Sequence, residues 1–243
     1  MELEMRKKED LSRLIKQYPY PRRRFIRRLL KTGIGVVAGA LTNYEVSGLE
    51  NLPPKGPFLI VGNHFHFLDS IGPIHATNFP LEFIGDIEMP NAPTLMKIFP
   101  RTWSTLKIEQ GTPNFEALNA AEAVLAQDGV LAIYPEGHVH KPPLGRALPG
   151  AAYIAMRMGV PIIPTATFSD NSFDIFGTIK KKHRRLRIWT RIGKAFGPLK
   201  YFEGERPSRE EIRENSRIIM SQIANLLPPE FRGEYDLSES LLA

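Results

Sequence analysis

The 243 residues contain no cysteine. That absence excludes disulfides, thiolate metal sites and a cysteine nucleophile, and it fits a reducing compartment. Also missing is an uninterrupted run of about 20 apolar residues, the length a membrane-spanning helix needs. The nearest stretch is GIGVVAGAL, Gly33 to Leu41, with arginines on one side only. No segment resembles a cleavable signal peptide, because the basic stretch is long and internal and no small-residue cleavage site follows the apolar run. Zinc-finger and RNP-type signatures are absent, so no nucleic-acid partner is expected. Histidine is scarce, and four of the 6 residues, His64, His66, His138 and His140, fall in two His-x-His pairs.

What is present starts with positive charge. The formal net charge is +6, which favours acidic partners such as membrane surfaces or phosphorylated ligands. One cluster comprises Arg22, Arg23, Arg24, Arg27, Arg28 and Lys31, and another Lys180, Lys181, Lys182, Arg184, Arg185 and Arg187. Either run could also be a plain solvated face. Residues 2–17 read as a charged helix, broken by Tyr18-Pro19-Tyr20-Pro21, since prolines cannot continue a helix interior. A second helix is expected from about Arg22 to Leu41, basic first and apolar later. That order suits a segment lying in a membrane interface, with arginines on lipid phosphates; the alternative is a helix packed on the domain. Residues 1–43 are therefore expected to be a membrane-association segment, and 44–243 the catalytic domain.

From Tyr44 onward short β-type runs alternate with helical ones. Expected strands are Tyr44–Gly48, Phe58–Gly62, Glu82–Gly85, Val130–Tyr134, Ile162–Thr167 and Leu186–Ile192. Phe115–Gln127 and Ala151–Met158 carry helical periodicity, each closed by a glycine, Gly129 and Gly159. Ser208, with Glu211 three residues on, caps a further amphipathic helix that Pro228-Pro229 stops. Such alternation predicts an α/β fold with a sheet flanked by helices.

The stretch GNHFHFLDS, Gly62 to Ser70, allows two chemistries. His-x-His followed by an aspartate is similar to the metallo-β-lactamase signature, and His138, His140 and Glu136 could complete such a site. The aspartate comes one residue late, however, and Ser70 stands where the last histidine belongs. Alternatively, His64 and Asp69 form a proton-transfer pair. An imidazole, with an ordinary pKa of about 6.5, can take a proton from an attacking hydroxyl near neutral pH. A carboxylate on its other nitrogen fixes the tautomer and stabilises the imidazolium.

Companion motifs favour the second. Asn63-His64, four residues and Asp69 directly follow the apolar Phe58-Leu-Ile-Val-Gly. Tyr134-Pro-Glu-Gly137 follows another apolar strand, Pro149-Gly-Ala-Ala152 opens a helix, and Val160-Pro-Ile-Ile-Pro164 comes after it. Together with Pro229-Glu-Phe-Arg-Gly-Glu-Tyr235, these blocks resemble those of the glycerol-phosphate acyltransferase family, which includes the lysophosphatidic acid acyltransferases. The resemblance spans about residues 44 to 235. It implies a mixed, largely parallel sheet and an O-acyltransferase. The acyl group would pass from acyl-CoA or acyl carrier protein to a hydroxyl of a lipid-like acceptor. No metal or organic cofactor is implied, and the setting would be membrane-associated on the cytoplasmic face. His64 would be the base and Asp69 its orienter. Asn63, Glu136 and Gly137 would form the acceptor and oxyanion side, with backbone N–H groups near Gly137 as donors.

Two departures from the family pattern concern the acceptor. The second block reads Lys107-Ile-Glu-Gln110-Gly, with Gln110 at the place of an arginine, and in the third block His138 and Val139 replace threonine and arginine. Those arginines are held to grip the acceptor's phosphate, for which a guanidinium is well shaped. Lys107, Arg101 or Arg146 could compensate from nearby, though none stands at a matching position, and Lys107, Gln110 and His138 are counted as acceptor-side candidates. The substitutions, with His66 in the place of a serine, imply an acceptor other than lysophosphatidic acid: a glycolipid, a hydroxylated terpenoid or another lysolipid. His66, His138 and His140 are expected to line its pocket. A metal-dependent hydrolase and a non-catalytic membrane-binding relative are the rival readings.

Overall fold

The computed structural model describes residues 11–85, 94–107, 115–169, 185–199 and 207–236. Residues 11–17 are helical (α1), and α2 spans Arg24–Leu41. Strands β1 (Thr42–Ser47), β2 (Phe58–Gly62) and β3 (Leu81–Gly85) follow, with the short helix α3 (Ile71–Ala76) between the last two. Next come α4 (Thr94–Trp103), β4 (Leu106–Lys107), α5 (Phe115–Leu125), β5 (Val130–Ile133) and α6 (Gly150–Met158). The last described elements are β6 (Ile162–Ser169), β7 (Leu186–Ile192) and α7 (Arg209–Ala224).

The strands form one sheet in the order β1-β7-β6-β2-β5-β3-β4. Every pairing is parallel except β6 with β7. The fold is therefore the mixed, largely parallel α/β sheet that the alternation of runs predicts. Strand β2 is buried throughout, as a central parallel strand should be with helices on both faces. Its side chains alternate: Leu59 and Val61 pack toward α5, α6 and α7 with Val124, Ile154 and Ile223. Phe58 and Ile60 pack on the opposite face with Ile74 of α3 and Trp103 of α4. Sequence reading missed α3 and β4, which at 6 and 2 residues are too short to show a period, and α4, whose internal Pro100 reads as a break.

Helix α2 is built into the domain. Leu30 and Ile34 pack on the α3 and α4 side of the sheet, and Ala38 is buried near Ile188. Arg27 lies over the Trp103 ring and donates through Nε to the Trp103 carbonyl at 3.0 Å. Its guanidinium grips both oxygens of Glu82, a fully buried carboxylate on β3. Arg22 adds a contact to the same carboxylate at 2.5 Å, and the Lys31 ammonium donates to the Thr77 carbonyl at 2.6 Å. Arg22 and Arg27 of the basic run are therefore committed to Glu82. A buried carboxylate demands paired charge, and Arg22 and Arg27 supply it from within that run. Arg24 and Arg28 stay exposed, beside a stripe in which Phe25, Leu29 and Val36 are 80%, 65% and 68% exposed. No helix among the described residues is long and apolar enough to cross a membrane.

Candidate functional site

Strand β2 leads through α3 on one face of the sheet to β3, while β5 leads through α6 on the other face to β6. The two connections leave in opposite directions at the carboxyl ends of neighbouring strands, where parallel α/β sheets form their binding crevice. Val61 and Ile133 are register partners, so the residues three further on, His64 and Glu136, face each other at this edge.

The turn after β2 is held by close contacts. A Cβ at Gly62 would come within 2.7 Å of Thr165 Oγ1, so only glycine fits there without displacing the hydroxyl. Asn63 Nδ2 donates to the Thr167 carbonyl and Asn63 Oδ1 accepts from the Thr167 N–H, both at 2.8 Å. The buried Asn63 amide thus continues the pairing of β2 with β6. Expected on the substrate side, it instead holds the backbone that carries His64.

His64 keeps 18% of its side-chain surface exposed and stacks on the Tyr134 ring, with centroids 4.3 Å apart. Its Nδ1 lies 3.2 Å from Asp69 Oδ2. Asp69 is buried in a 3-10 turn, Phe67–Ser70, and Oδ2 also accepts the His66 N–H at 2.8 Å. The other oxygen, Oδ1, is 2.6 Å from His66 Nδ1, an ion-pair contact out of line for a hydrogen bond. Burial alone would raise the Asp69 carboxyl, but the charge of the nearby His66 and the hydrogen bond with His64 outweigh it and hold the group below its ordinary value. An ionised Asp69 accepts from His64 Nδ1–H and leaves the lone pair on Nε2, the tautomer a base requires. His66, expected in the acceptor pocket, is buried against Asp69.

The turn after β5 closes on the same histidine. Glu136 is buried, and its Oε2 accepts the His64 N–H at 2.6 Å while Oε1 accepts the Gly145 N–H at 2.7 Å. His140 Nε2 lies 2.5 Å from Oε1, His140 Nδ1 lies 2.7 Å from the Lys141 carbonyl, and the His140 N–H donates to the His64 carbonyl at 3.1 Å. A Cβ on Gly145 would sit 2.9 Å from His140 Nε2, so a side chain there would force the ring off the carboxylate. The hydrogen bond to Glu136 raises the His140 imidazole above its ordinary value against the opposing effect of burial. With both oxygens engaged by protein groups, Glu136 organises the turn that carries His64. Gly137, at φ 75°, donates its N–H to the Tyr134 carbonyl at 3.0 Å. The N–H of Gly137 itself is therefore occupied in closing the turn.

The remaining candidates lie apart. His138 is exposed, its ring 5.6 Å from that of His140. Lys107 is exposed on β4 at the sheet edge, with β3 and β5 between it and β2. Gln110 lies outside the described residues. His64 Nδ1 and His66 Nδ1 both face Asp69, and both His140 nitrogens face other oxygens. No three His, Asp or Glu side chains among the described residues converge as a metal-holding group. Sequence reading missed the roles of Tyr134, Gly145 and Thr167, and the grip of His140 on Glu136. For that last contact the only sequence signal is a carboxylate four residues before an imidazole.

Comparison with known proteins bears on the same region. A family model described as Acyltransferase matches residues 43–167, just over half of the chain. Among solved structures, the 1-acyl-sn-glycerophosphate (LPA) acyltransferase PlsC of Thermotoga maritima superposes with a TM-score of 0.55. The alignment covers 88% of this chain and 86% of that one at 19% identity, a likeness of fold. No curated protein sequence matches the chain.

Proposed function

The chain belongs to the acyltransferase family, and from that premise we propose an O-acyltransferase that acts on a lipid-like alcohol at a membrane surface, with His64 as general base. The observation that carries this reading is the His64–Asp69 pair at the carboxyl end of β2, ring partly exposed and Nδ1 turned to a buried carboxylate. No group among the described residues hydrogen-bonds Nε2. In the reaction, Nε2 takes the acceptor's hydroxyl proton as its oxygen attacks the thioester carbonyl of acyl-CoA or acyl carrier protein. A C–O bond forms, the tetrahedral intermediate collapses with loss of the C–S bond, and the imidazolium returns the proton to the departing thiolate. The acceptor alcohol is the nucleophile, so no acyl-enzyme is required.

The acceptor is a lipid without a phosphate monoester: a glycolipid, a hydroxylated terpenoid or another lysolipid. The support is chemical. Val139 stands exposed where the related pattern has an arginine, and an isopropyl group cannot pair with a phosphate. The exposed stripe of Phe25, Leu29 and Val36 beside Arg24 and Arg28 supports a peripheral membrane setting, which this reading places on the cytoplasmic face.

Lipid profiling of a strain lacking the protein, complemented by the wild-type or His64→Ala form, tests the reading. A lipid ester restored by the wild type and not by His64→Ala supports it. Equal rescue by both forms supports a non-catalytic role, and saturable acylation of lysophosphatidic acid by the pure protein refutes the assignment of acceptor.

A further inference from the structure

We infer that His140 is a positioning residue for His64, acting as an imidazolium clamped on Glu136 so that the pair fixes the backbone of His64 on both sides. The inference rests on which atoms face which. A carbonyl oxygen only accepts, so His140 Nδ1, 2.7 Å from the Lys141 carbonyl, carries a proton. Glu136 collects backbone N–H groups from His64 and Gly145, one on each oxygen, as an ionised carboxylate does. His140 Nε2, 2.5 Å from Oε1, therefore carries a proton too. Either neutral tautomer would set a nitrogen lone pair against an acceptor oxygen.

Charge explains why the ring is there. Glu136 is 1% exposed, and an unpaired carboxylate at that depth would be costly. A short, charge-assisted contact with an imidazolium removes the imbalance. Other ionisable groups facing the pair are Asp69 from the turn after β2, Tyr235 from the C-terminal 3-10 turn, and the exposed neighbour His138. Asp69 reinforces the positive charge on His140.

The clamp acts on His64 through two main-chain bonds. Glu136 holds its N–H and the His140 N–H holds its carbonyl, so the peptide groups flanking the catalytic imidazole belong to the turn after β5. His140 touches no reacting atom in the reaction proposed above. Its deprotonation at alkaline pH would turn a lone pair onto Glu136 and push the turn away from His64. The rate should therefore carry an alkaline limb set by His140.

The decisive measurement is histidine NMR on the full-length protein labelled with nitrogen-15 in its histidines, with His140 assigned by the resonances missing from His140→Gln. Both ring nitrogens of His140 are expected in the imidazolium range at pH 7, with a titration midpoint above the ordinary imidazole value. A neutral tautomer at pH 7 overturns the inference. Enzymatically, His140→Gln should lower kcat on the order of 10- to 100-fold, as for a misplaced catalytic group, with little change in KM and no alkaline limb. A wild-type rate and pH profile in that variant also overturns it. Should His140→Gln fail to fold, His140→Asn provides the assignment and the wild-type titration decides. The kinetic arm rests on the acyltransferase reading and the NMR arm does not, so a failure of either can be told apart.

Discussion

His64 Nδ1 faces Asp69 Oδ2 at 3.2 Å across a turn that also gives the carboxylate a backbone N–H. The contact favours the Nδ1–H tautomer of a ring whose other nitrogen is, in the proposed reaction, the base. His64→Ala should therefore reduce acyl transfer by about 10²- to 10⁴-fold, the usual contribution of a general base. Asp69→Asn should cost a comparable factor, because its amide oxygen or N–H no longer selects the Nδ1–H form. Steady-state kinetics, with circular dichroism to verify folding, checks both. Near-wild-type turnover by either variant would remove the pair from the mechanism.

Asp69 and His140 should give opposite pH dependences of stability. The Asp69 carboxyl is held below its ordinary value, so its contribution is complete above the unfolded pKa of about 3.9. It is lost as pH falls through the lower folded value. His140 is raised, so its contribution is complete below about 6.5 and lost as pH rises through the folded value. Urea unfolding across pH should show the gap between wild type and Asp69→Asn closing on the acid side. The gap to His140→Gln should close on the alkaline side. A gap independent of pH in either comparison would contradict the assigned ionisation.

The ion cluster under α2 predicts a stability effect without a catalytic one. Glu82 is fully buried, and Arg27, which grips it, is 4% exposed. Glu82→Gln leaves Arg27 charged and without its counterion, a loss of about 3–5 kcal/mol for a broken buried pair. Replacing both partners by methionine should recover much of that loss, because the desolvation cost disappears with the charges. Chemical denaturation of the two variants is the measurement, and equal destabilisation by both would argue against this origin.

The parts of the molecule that sequence reveals are those whose partners are near in the chain or whose pattern repeats. The apolar run Phe58–Gly62 reads as a strand and is one. Gly159 takes the left-handed φ of 57° that a helix end favours, and Ser208 and Glu211 form the reciprocal cap their spacing implies. His64 and Asp69 are five apart and meet through a single turn. What stayed hidden depends on distant pairing. Nothing about Asn63 announces Thr167, 104 residues away, and Arg27 resembles any solvated arginine until β3 places Glu82 against it. Glu136 is conspicuous in its motif, yet its grip on His64 exists only because β2 and β5 are neighbours in register.

The outer face of α2 supplies the last prediction. Phe25, Leu29 and Val36 recur at helical spacing and project from a helix whose inner face is already buried on the domain. A large apolar side chain gains about 1.5–3 kcal/mol on full burial, and about 1.4 kcal/mol corresponds to tenfold in a partition constant. If the stripe enters the bilayer interface, Phe25→Ser and Leu29→Ser should each weaken binding to liposomes by about tenfold or more. Arg24→Gln with Arg28→Gln should remove the preference for anionic over neutral vesicles, an effect that salt should imitate. Sedimentation with vesicles of defined composition measures both. Unchanged partitioning of the Phe25→Ser, Leu29→Ser double variant would assign the stripe to something other than a membrane. The two sets of residues should separate cleanly, because apolar entry is insensitive to salt whereas attraction to anionic headgroups is screened over about 8 Å at physiological ionic strength.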